Sequence, residues 1–296
     1  MRVGDFGLAL LPPLLWAMSY ALAKPAVMHF PPLFMMAIAY AGAALLLVRP
    51  SRRFQTPWWA IFCIATLGGA VQSGLIFTGL SGLPASTAIL VVQSQVPFAV
   101  LSAWAIGREK LNAYRMIGIV IALGGVAVVA GAPESIGALS SLALVVLGTL
   151  SWGISQALIR RFGKDDGKTM IAAISILAAP QLMVLSLFME HGQLIALQTA
   201  MPTHWAGVAL LSAGGLVVAY SIWYALMQRY RVDQVAPFAL LMPPLGVVAS
   251  YLFLGERISA GAVLGAVIIM VGLGIITRAP LLERQVRKPE APISSN

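Results

Sequence analysis

Charge is confined to a few short segments of this chain, and that confinement decides what it can fold into. Asp, Glu, Lys and Arg are absent from residues 6–23, 25–48, 54–107, 116–133, 135–159, 169–189, 191–228, 234–255 and 258–277. A helix needs about 20 predominantly apolar residues to cross the hydrocarbon core of a bilayer. All nine stretches reach about that length, and the longest holds two spans joined by a turn at Gly79-Leu80-Ser81-Gly82-Leu83-Pro84. Ten transmembrane helices are predicted, near 5–23, 32–48, 58–80, 85–106, 113–132, 139–160, 169–189, 205–228, 234–254 and 260–277.

Lipid admits only helices and closed barrels, because both satisfy their backbone groups internally. Barrel strands alternate apolar and polar residues. Here the runs are continuously apolar, 59% of the chain is hydrophobic and the mean hydropathy is +0.89, so an all-α integral membrane protein is expected. The first run reads as a span and not as a cleaved leader, since Pro12-Pro13 interrupts it and it carries Trp16 and Tyr20.

Basic residues accumulate in cytoplasmic loops. Placing the N-terminus inside and alternating puts 17 Lys and Arg residues on the cytoplasmic side, and only Lys24 and Arg257 outside. This split accounts for the net charge of +9 without any nucleic-acid partner. Both termini are expected in the cytoplasm, with the protein in the inner membrane of a bacterium. Cys63 is the sole cysteine, which excludes an internal disulfide. His29, His191 and His204 fall in the outer loops or at their edges without metal-ligand spacing. No metal or cofactor is expected.

Two sets of matched residues divide the chain. Trp16, Ser19, Ala21 and Leu22 recur 136 positions later as Trp152, Ser155, Ala157 and Leu158. Gly68, Pro97, Glu109, Gly118 and Gly125 recur 147 positions later as Gly215, Pro244, Glu256, Gly265 and Gly272. The difference between the two shifts fits within the longer loop at 190–204. Residues 1–132 therefore read as one five-helix repeat and 139–277 as a second, with 278–296 a disordered cytoplasmic tail. Five is odd, so the second repeat enters the membrane inverted, an architecture that secondary transporters build around a midplane site.

Ten helices in two halves, a proline in the fourth helix of each, an acidic–basic pair after it (Glu109-Lys110 and Glu256-Arg257) and a glycine-spaced fifth helix resemble the drug/metabolite transporter superfamily. Within it the chain is similar to the EamA-type exporters, and among those to exporters of aromatic amino acids. The resemblance spans about residues 5–277 and implies an exporter of small metabolites. One departure is Met242-Pro243-Pro244, where the first half has Gln95-Val96-Pro97.

Candidate substrate-binding residues are the polar and aromatic side chains within the spans. They are Trp16 and Tyr20 on the first helix, Gln72 and Phe77 on the third, Gln93 on the fourth, Trp152 and Gln156 on the sixth, and Tyr220, Trp223 and Tyr224 on the eighth. Packing and interfacial belts are the plainer reading of aromatics, but Trp16 and Trp152 lie too near midspan for a belt. For the glutamines, interhelical hydrogen bonding competes with a cavity role. Pro97, Pro243 and Pro244 remove backbone donors at midmembrane and read as hinges. Glycine faces at Gly118/Gly125 and Gly261/Gly265/Gly272 read as close helix packing within a monomer or a homodimer. Asn112 and Ser259 read as N-caps, and the glutamates three residues before them as features of helix starts.

The expected function is export of small amphipathic metabolites, above all aromatic or large apolar amino acids, by alternating access around a central cavity. A membrane enzyme needs a nucleophile–base pair or a metal cluster, and no His, Asp or Glu lies deep in a span. The competing readings are a multidrug or lipophilic-cation exporter and a passive channel. A sugar-nucleotide antiporter would want basic residues in the cavity. Intramembrane carboxylates and imidazoles usually mark the coupling-ion site, and their absence points to facilitated export. Fusing a reporter active only in the periplasm after Asn296 tests the topology: an inactive reporter is expected, and strong activity overturns the ten-span arrangement.

Overall fold

The computed structural model describes residues 3–47, 54–107, 111–131, 136–230 and 232–286. Those residues form helices joined by turns, bends and irregular loops, without a strand. Nine of the helices are long and apolar enough to cross a membrane, and Pro32–Leu47 is a shorter apolar helix of 16 residues. We number them α1 (Val3–His29), α2 (Pro32–Leu47), α3 (Trp58–Ser81), α4 (Ala85–Val92 and Gln95–Gly107), α5 (Ala113–Ala130), α6 (Ile136–Phe162), α7 (Gly167–Met189), α8 (Pro202–Ala209, Leu210–Ala219 and Tyr220–Arg229), α9 (Val232–Ala239 and Met242–Leu254) and α10 (Ala260–Val286). Large apolar side chains such as Leu45, Phe188 and Leu252 face outward. So broad an apolar exterior suits lipid and not water. Trp58, Trp59 and Trp104 are exposed at helix ends, where an interfacial belt forms.

Four helices are irregular, and in matched pairs. α3 and α8 each pass through a π-helical stretch, at Thr66–Val71 and Leu210–Ala219. α4 turns at Gln93-Ser94 and α9 at Leu240-Leu241. These turns are 147 residues apart, and each lies just ahead of a proline predicted as a hinge: Pro97 in α4, and Pro243-Pro244 in α9.

Glycines set the closest helix contacts. The α5–α10 pair is among the most extensive between described helices. A Cβ on Gly118 would lie 2.8 Å from the Gly272 carbonyl, and one on Gly125 would lie 2.9 Å from the Gly265 carbonyl. Reciprocally, a Cβ on Gly272 would lie 2.7 Å from the Gly118 carbonyl and one on Gly265 2.9 Å from that of Gly125. The glycine faces thus meet each other within one chain. Asn112 and Ser259 cap these two helices, accepting from the amides of Arg115 at 2.8 Å and Ala262 at 3.1 Å.

Two expectations are corrected. The loop at 190–204 contains a short helix, Gln193–Thr199, that begins after the left-handed Gly192 (φ 85°). The expected disordered tail from 278 is helical as far as Val286, because α10 simply continues. Leu, Glu, Arg and Gln are good helix formers, and propagating an existing helix needs no new nucleus. The remaining tail and Glu109-Lys110 lie outside the described residues.

Adjacent glycines on α5 provide a test. Gly125→Leu drives a side chain into the α10 backbone and should lower stability by about 3 kcal/mol. Gly124 has nothing within 4 Å of where its Cβ would sit, so Gly124→Leu should leave thermal unfolding in detergent within about 0.5 kcal/mol. Equal effects of the two would refute this packing.

Candidate functional site

The helices enclose a central cavity of about 270 Å³. Trp16 and Tyr20 enter it from one face of α1, four residues apart as one face requires. Trp152 and Gln156 do the same from α6, Tyr220, Trp223 and Tyr224 from α8, and Gln72 from α3. Gln93 and Gln95 reach it from the turn of α4. Nine of the ten predicted binding residues therefore share one wall. Phe77 is the exception: it is buried behind Tyr20, stacked on that ring at 5.7 Å with planes 9° apart.

Among the predicted hinge residues, Pro97 and Pro243 are buried and Pro244 half-buried; none of the three lines the cavity. Leu240 and Met242, which flank the α9 turn, do line it. So do Thr277 and Leu273 of α10, which sequence reasoning passed over. Thr277 hydrogen-bonds back to Leu273 and Gly274, and nothing in its sequence neighbourhood marks it. Leu240 had a signal in the chain, since it lies three residues before one proline and four before another.

The aromatic wall is interlocked. Trp16 meets Tyr220 at 5.1 Å and Trp223 at 5.6 Å, both edge-on, and Tyr220 stacks on Tyr224 at 5.9 Å. Edge-on and offset contacts are the favoured geometries for such rings. The π-helical stretches help to fix this wall. A π-helical register pairs a carbonyl with the amide five residues on, as Leu67 is paired with Gln72, and such a carbonyl can take a second donor from a neighbouring helix. The Gly215 carbonyl accepts the Trp16 indole N–H at 3.2 Å, and the Leu67 carbonyl accepts the Ser151 hydroxyl at 2.7 Å.

The glutamines are oriented too. Ser73 donates to Gln72 Oε1 at 3.1 Å, and Gln93 Nε2 donates to the Ile89 carbonyl at 3.3 Å. Ser94, by contrast, is held by Thr149 at 2.7 Å and serves as interhelical glue. At the turns the α4 carbonyl of Gln93 accepts from the Val96 amide at 3.2 Å. Among the described residues, no backbone bond reaches the amides of Gln95 and Met242 or the carbonyls of Ala239 and Leu240. All four of these residues line the cavity.

Among the described residues, no Asp, Glu, Lys, Arg or His lines this cavity. A vestibule of about 540 Å³ shares Val96, Trp152 and Gln156 with it and extends to Arg115 and Arg160. At the other end two charges pin the turn between α3 and α4. Lys24 Nζ donates to the carbonyls of Leu80, Ser81 and Leu83 at 2.6, 3.1 and 2.7 Å. Glu256 accepts from the amides of Ala85 and Ser86 at 2.6 and 2.9 Å and from the Ser86 hydroxyl at 2.6 Å. The carboxylate thus caps the N-terminus of α4, a helix far from it in sequence. His29 and His204 stack at 4.0 Å near this end, and no group of three or more potential metal ligands occurs among the described residues.

Long apolar helices around an aromatic cavity, with a vestibule at one end that reaches two arginines, define a membrane transporter. The model of the EamA-like transporter family matches residues 6–131 and 139–278, and the chain belongs to that family. It is similar to a Salmonella typhimurium protein named a probable amino-acid metabolite efflux pump, at 27% identity over 281 residues covering 92% of this chain and 94% of that one. An Escherichia coli protein of the same name is 27% identical over 283 residues, with the same coverage. A solved crystal structure shares the fold with a TM-score of 0.66 at 18% identity, covering 97% of this chain and 100% of that one.

Glu256→Ala leaves the first amides of α4 uncapped. A loss of about 1–2 kcal/mol is expected in thermal unfolding; an unchanged midpoint would show that the cap does not hold the turn.

Proposed function

We propose that this protein exports small amphipathic metabolites, principally aromatic or large apolar amino acids, across a bacterial inner membrane. The observation that carries this reading is the cavity itself: its lining joins six aromatic residues to four glutamines and to the open carbonyls of the α9 turn residues, with no charged side chain among the described residues. Rings accept an apolar side chain by stacking, and a few placed polar groups orient the rest of a small ligand. A volume of about 270 Å³ lies at the lower edge of the roughly 300–1,000 Å³ usual for drug-sized ligands. That favours a metabolite over a bulky drug. The two relatives named as amino-acid metabolite efflux pumps support the same substrate class.

The proposed machinery is ten spans in two inverted five-helix repeats, 1–132 and 139–277. Reciprocal contacts support it. Ser19 lies against Gly215 and Ser155 against Gly68, and each partner in the second pair is the repeat equivalent of one in the first. The Gly118–Gly272 contact maps in the same way onto Gly265–Gly125. Alternating access then rocks one repeat against the other, with the turns before Pro97 and Pro243-Pro244 as hinges. With both termini cytoplasmic, the vestibule at Arg115 and Arg160 opens inward, and Lys24 and Glu256 hold the outer end. The uncharged cavity offers no proton site, so export runs down the substrate's own gradient.

A lipophilic-cation exporter is the second reading. The aromatic wall favours it and the lack of a cavity carboxylate weakens it. Counterflow in liposomes tests both, using the twenty amino acids beside cationic dyes. Saturable counterflow of aromatic amino acids is expected. Trp152→Ala should weaken binding by about 1–3 kcal/mol, the scale of losing a buried aromatic contact. Normal transport by the combined Trp16→Ala, Trp152→Ala and Gln93→Ala variant, or transport of dyes alone, would overturn the proposal.

A further inference from the structure

The two helix turns beside the cavity are not equivalent, and the difference lies in backbone chemistry. A helical carbonyl accepts from the amide four residues ahead, or three ahead in a tight turn. In α4 the carbonyl of Gln93 loses its i+4 donor to Pro97 but keeps its i+3 donor, Val96, at 3.2 Å. The matched carbonyl in α9 is that of Leu240, 147 residues on. Its i+3 residue is Pro243 and its i+4 residue is Pro244, and neither has an N–H. No helical donor for Leu240 exists in this sequence.

The preceding carbonyl, of Ala239, has Pro243 at i+4, and the Met242 amide does not bond to it. Two successive carbonyls are therefore open at one turn, and Ala239 and Leu240 both line the central cavity. The same cavity holds six aromatic residues within its wall, Trp16, Tyr20, Trp152, Tyr220, Trp223 and Tyr224. Carbonyl dipoles and ring faces have one property in common: both attract a cation. With no ammonium or guanidinium in the lining, nothing from the protein fills that demand.

We propose that the α9 turn is an ammonium subsite: the open carbonyls of Ala239 and Leu240 accept hydrogen bonds from a substrate's primary ammonium group, held beneath the aromatic wall. The subsite rests on the exporter reading above and adds to it the polarity of the bound molecule. The ammonium lies at the α9 turn in the second half. The carboxylate is left to the glutamine amides and the open N–H of Gln95 on the α4 side. Pro243, where the first half has Val96, takes a helical donor from both carbonyls and creates the subsite, and Pro244, matched by Pro97, removes the other donor of Leu240.

Calorimetric titration of the full-length purified protein tests this with L-phenylalanine, L-phenylalaninamide and N-acetyl-L-phenylalanine. The amide keeps the ammonium and loses the carboxylate charge, and the acetyl compound does the reverse. Removing the ammonium should weaken binding at least roughly tenfold, the scale of a lost hydrogen bond to a charged group. Pro244→Ala returns an i+4 N–H to the Leu240 carbonyl. It should weaken L-phenylalaninamide by a similar factor and leave the N-acetyl compound unchanged. Equal affinity for L-phenylalanine and its N-acetyl derivative would overturn the subsite while the exporter reading stands. So would amine selectivity that survives Pro244→Ala. Failure of all three compounds to bind would overturn the exporter reading, and the subsite with it. The comparison of compounds on the unaltered protein decides the first point even where Pro244→Ala does not fold.

Discussion

A backbone carbonyl or amide stranded in hydrocarbon costs several kcal/mol, because no water is there to replace a lost partner. Four helices of this protein nevertheless break their own hydrogen-bond ladders in midspan, and the rest of the architecture follows from where the released groups go. At the π-helical stretches the bonds shift register, with the Gln72 amide still reaching the Leu67 carbonyl, and neighbouring helices add donors: the indole of Trp16 takes the Gly215 carbonyl and the hydroxyl of Ser151 that of Leu67. Each of those bonds fixes a side chain of α1 or α6 against α8 or α3. At the turns of α4 and α9 the residues whose backbone groups lack such bonds line a cavity instead. Irregular backbone is tolerated at this depth only where it is buried in protein or lines such a space, so the breaks and the cavity require each other.

The same demand governs the helix ends, where the first amides and last carbonyls have no helical partners. Here charged side chains supply them across long sequence separations. Lys24 satisfies the C-terminal carbonyls of α3, Glu256 the first amides of α4, and Glu190 the amides of Leu33 and Phe34 at the start of α2. Opposite charges thereby sit on the helix termini whose dipoles they complement. Asp165 does comparable work between loops, accepting from the amides of Gln55 and Thr56 at 2.9 Å each. Burial opposes its carboxylate, but hydrogen bonds from Thr56 and Gln55 outweigh that and hold its pKa below the usual value. These four charged residues are thus committed to structure, and among the described residues no charged side chain lines the cavity.

That commitment explains what could be read from the sequence. Charge-free runs mark the long helices because lipid excludes charge, and prolines mark the turns of α4 and α9 because they remove donors. The pairing of Trp16 with Trp152 and of the glutamines near midspan placed nine cavity residues in advance. Other features left no trace. The π-helical stretches contain Gly68-Gly69 and Gly214-Gly215, which by sequence resemble any packing glycines. Phe77 and Tyr20 carry the same signal, an aromatic near midspan, yet a stacking contact at 5.7 Å puts one behind the other. Thr277 lines the cavity from α10, and its hydroxyl bonds only to its own helix among the bonds described. Lys24, read as a loop residue, lies within α1 and reaches the end of α3. All of these depend on contacts between distant segments, which local patterns do not encode.

The uncharged cavity also bears on how export gains its direction. Moving one elementary charge against a membrane potential costs about 2.3 kcal/mol per 100 mV. A monocation leaving a cell whose interior is negative meets that cost in full, so facilitated export would work against it. Overcoming it calls for coupling to another ion, and coupling calls for a titratable or coordinating group in the path. A zwitterion carries no net charge and meets no such barrier. Its separated ends still need partners, and the open carbonyls and amides at the two turns are partners that remain neutral at every pH. A cavity with dipoles but no ions therefore suits a zwitterion moving down its own gradient better than it suits a lipophilic cation.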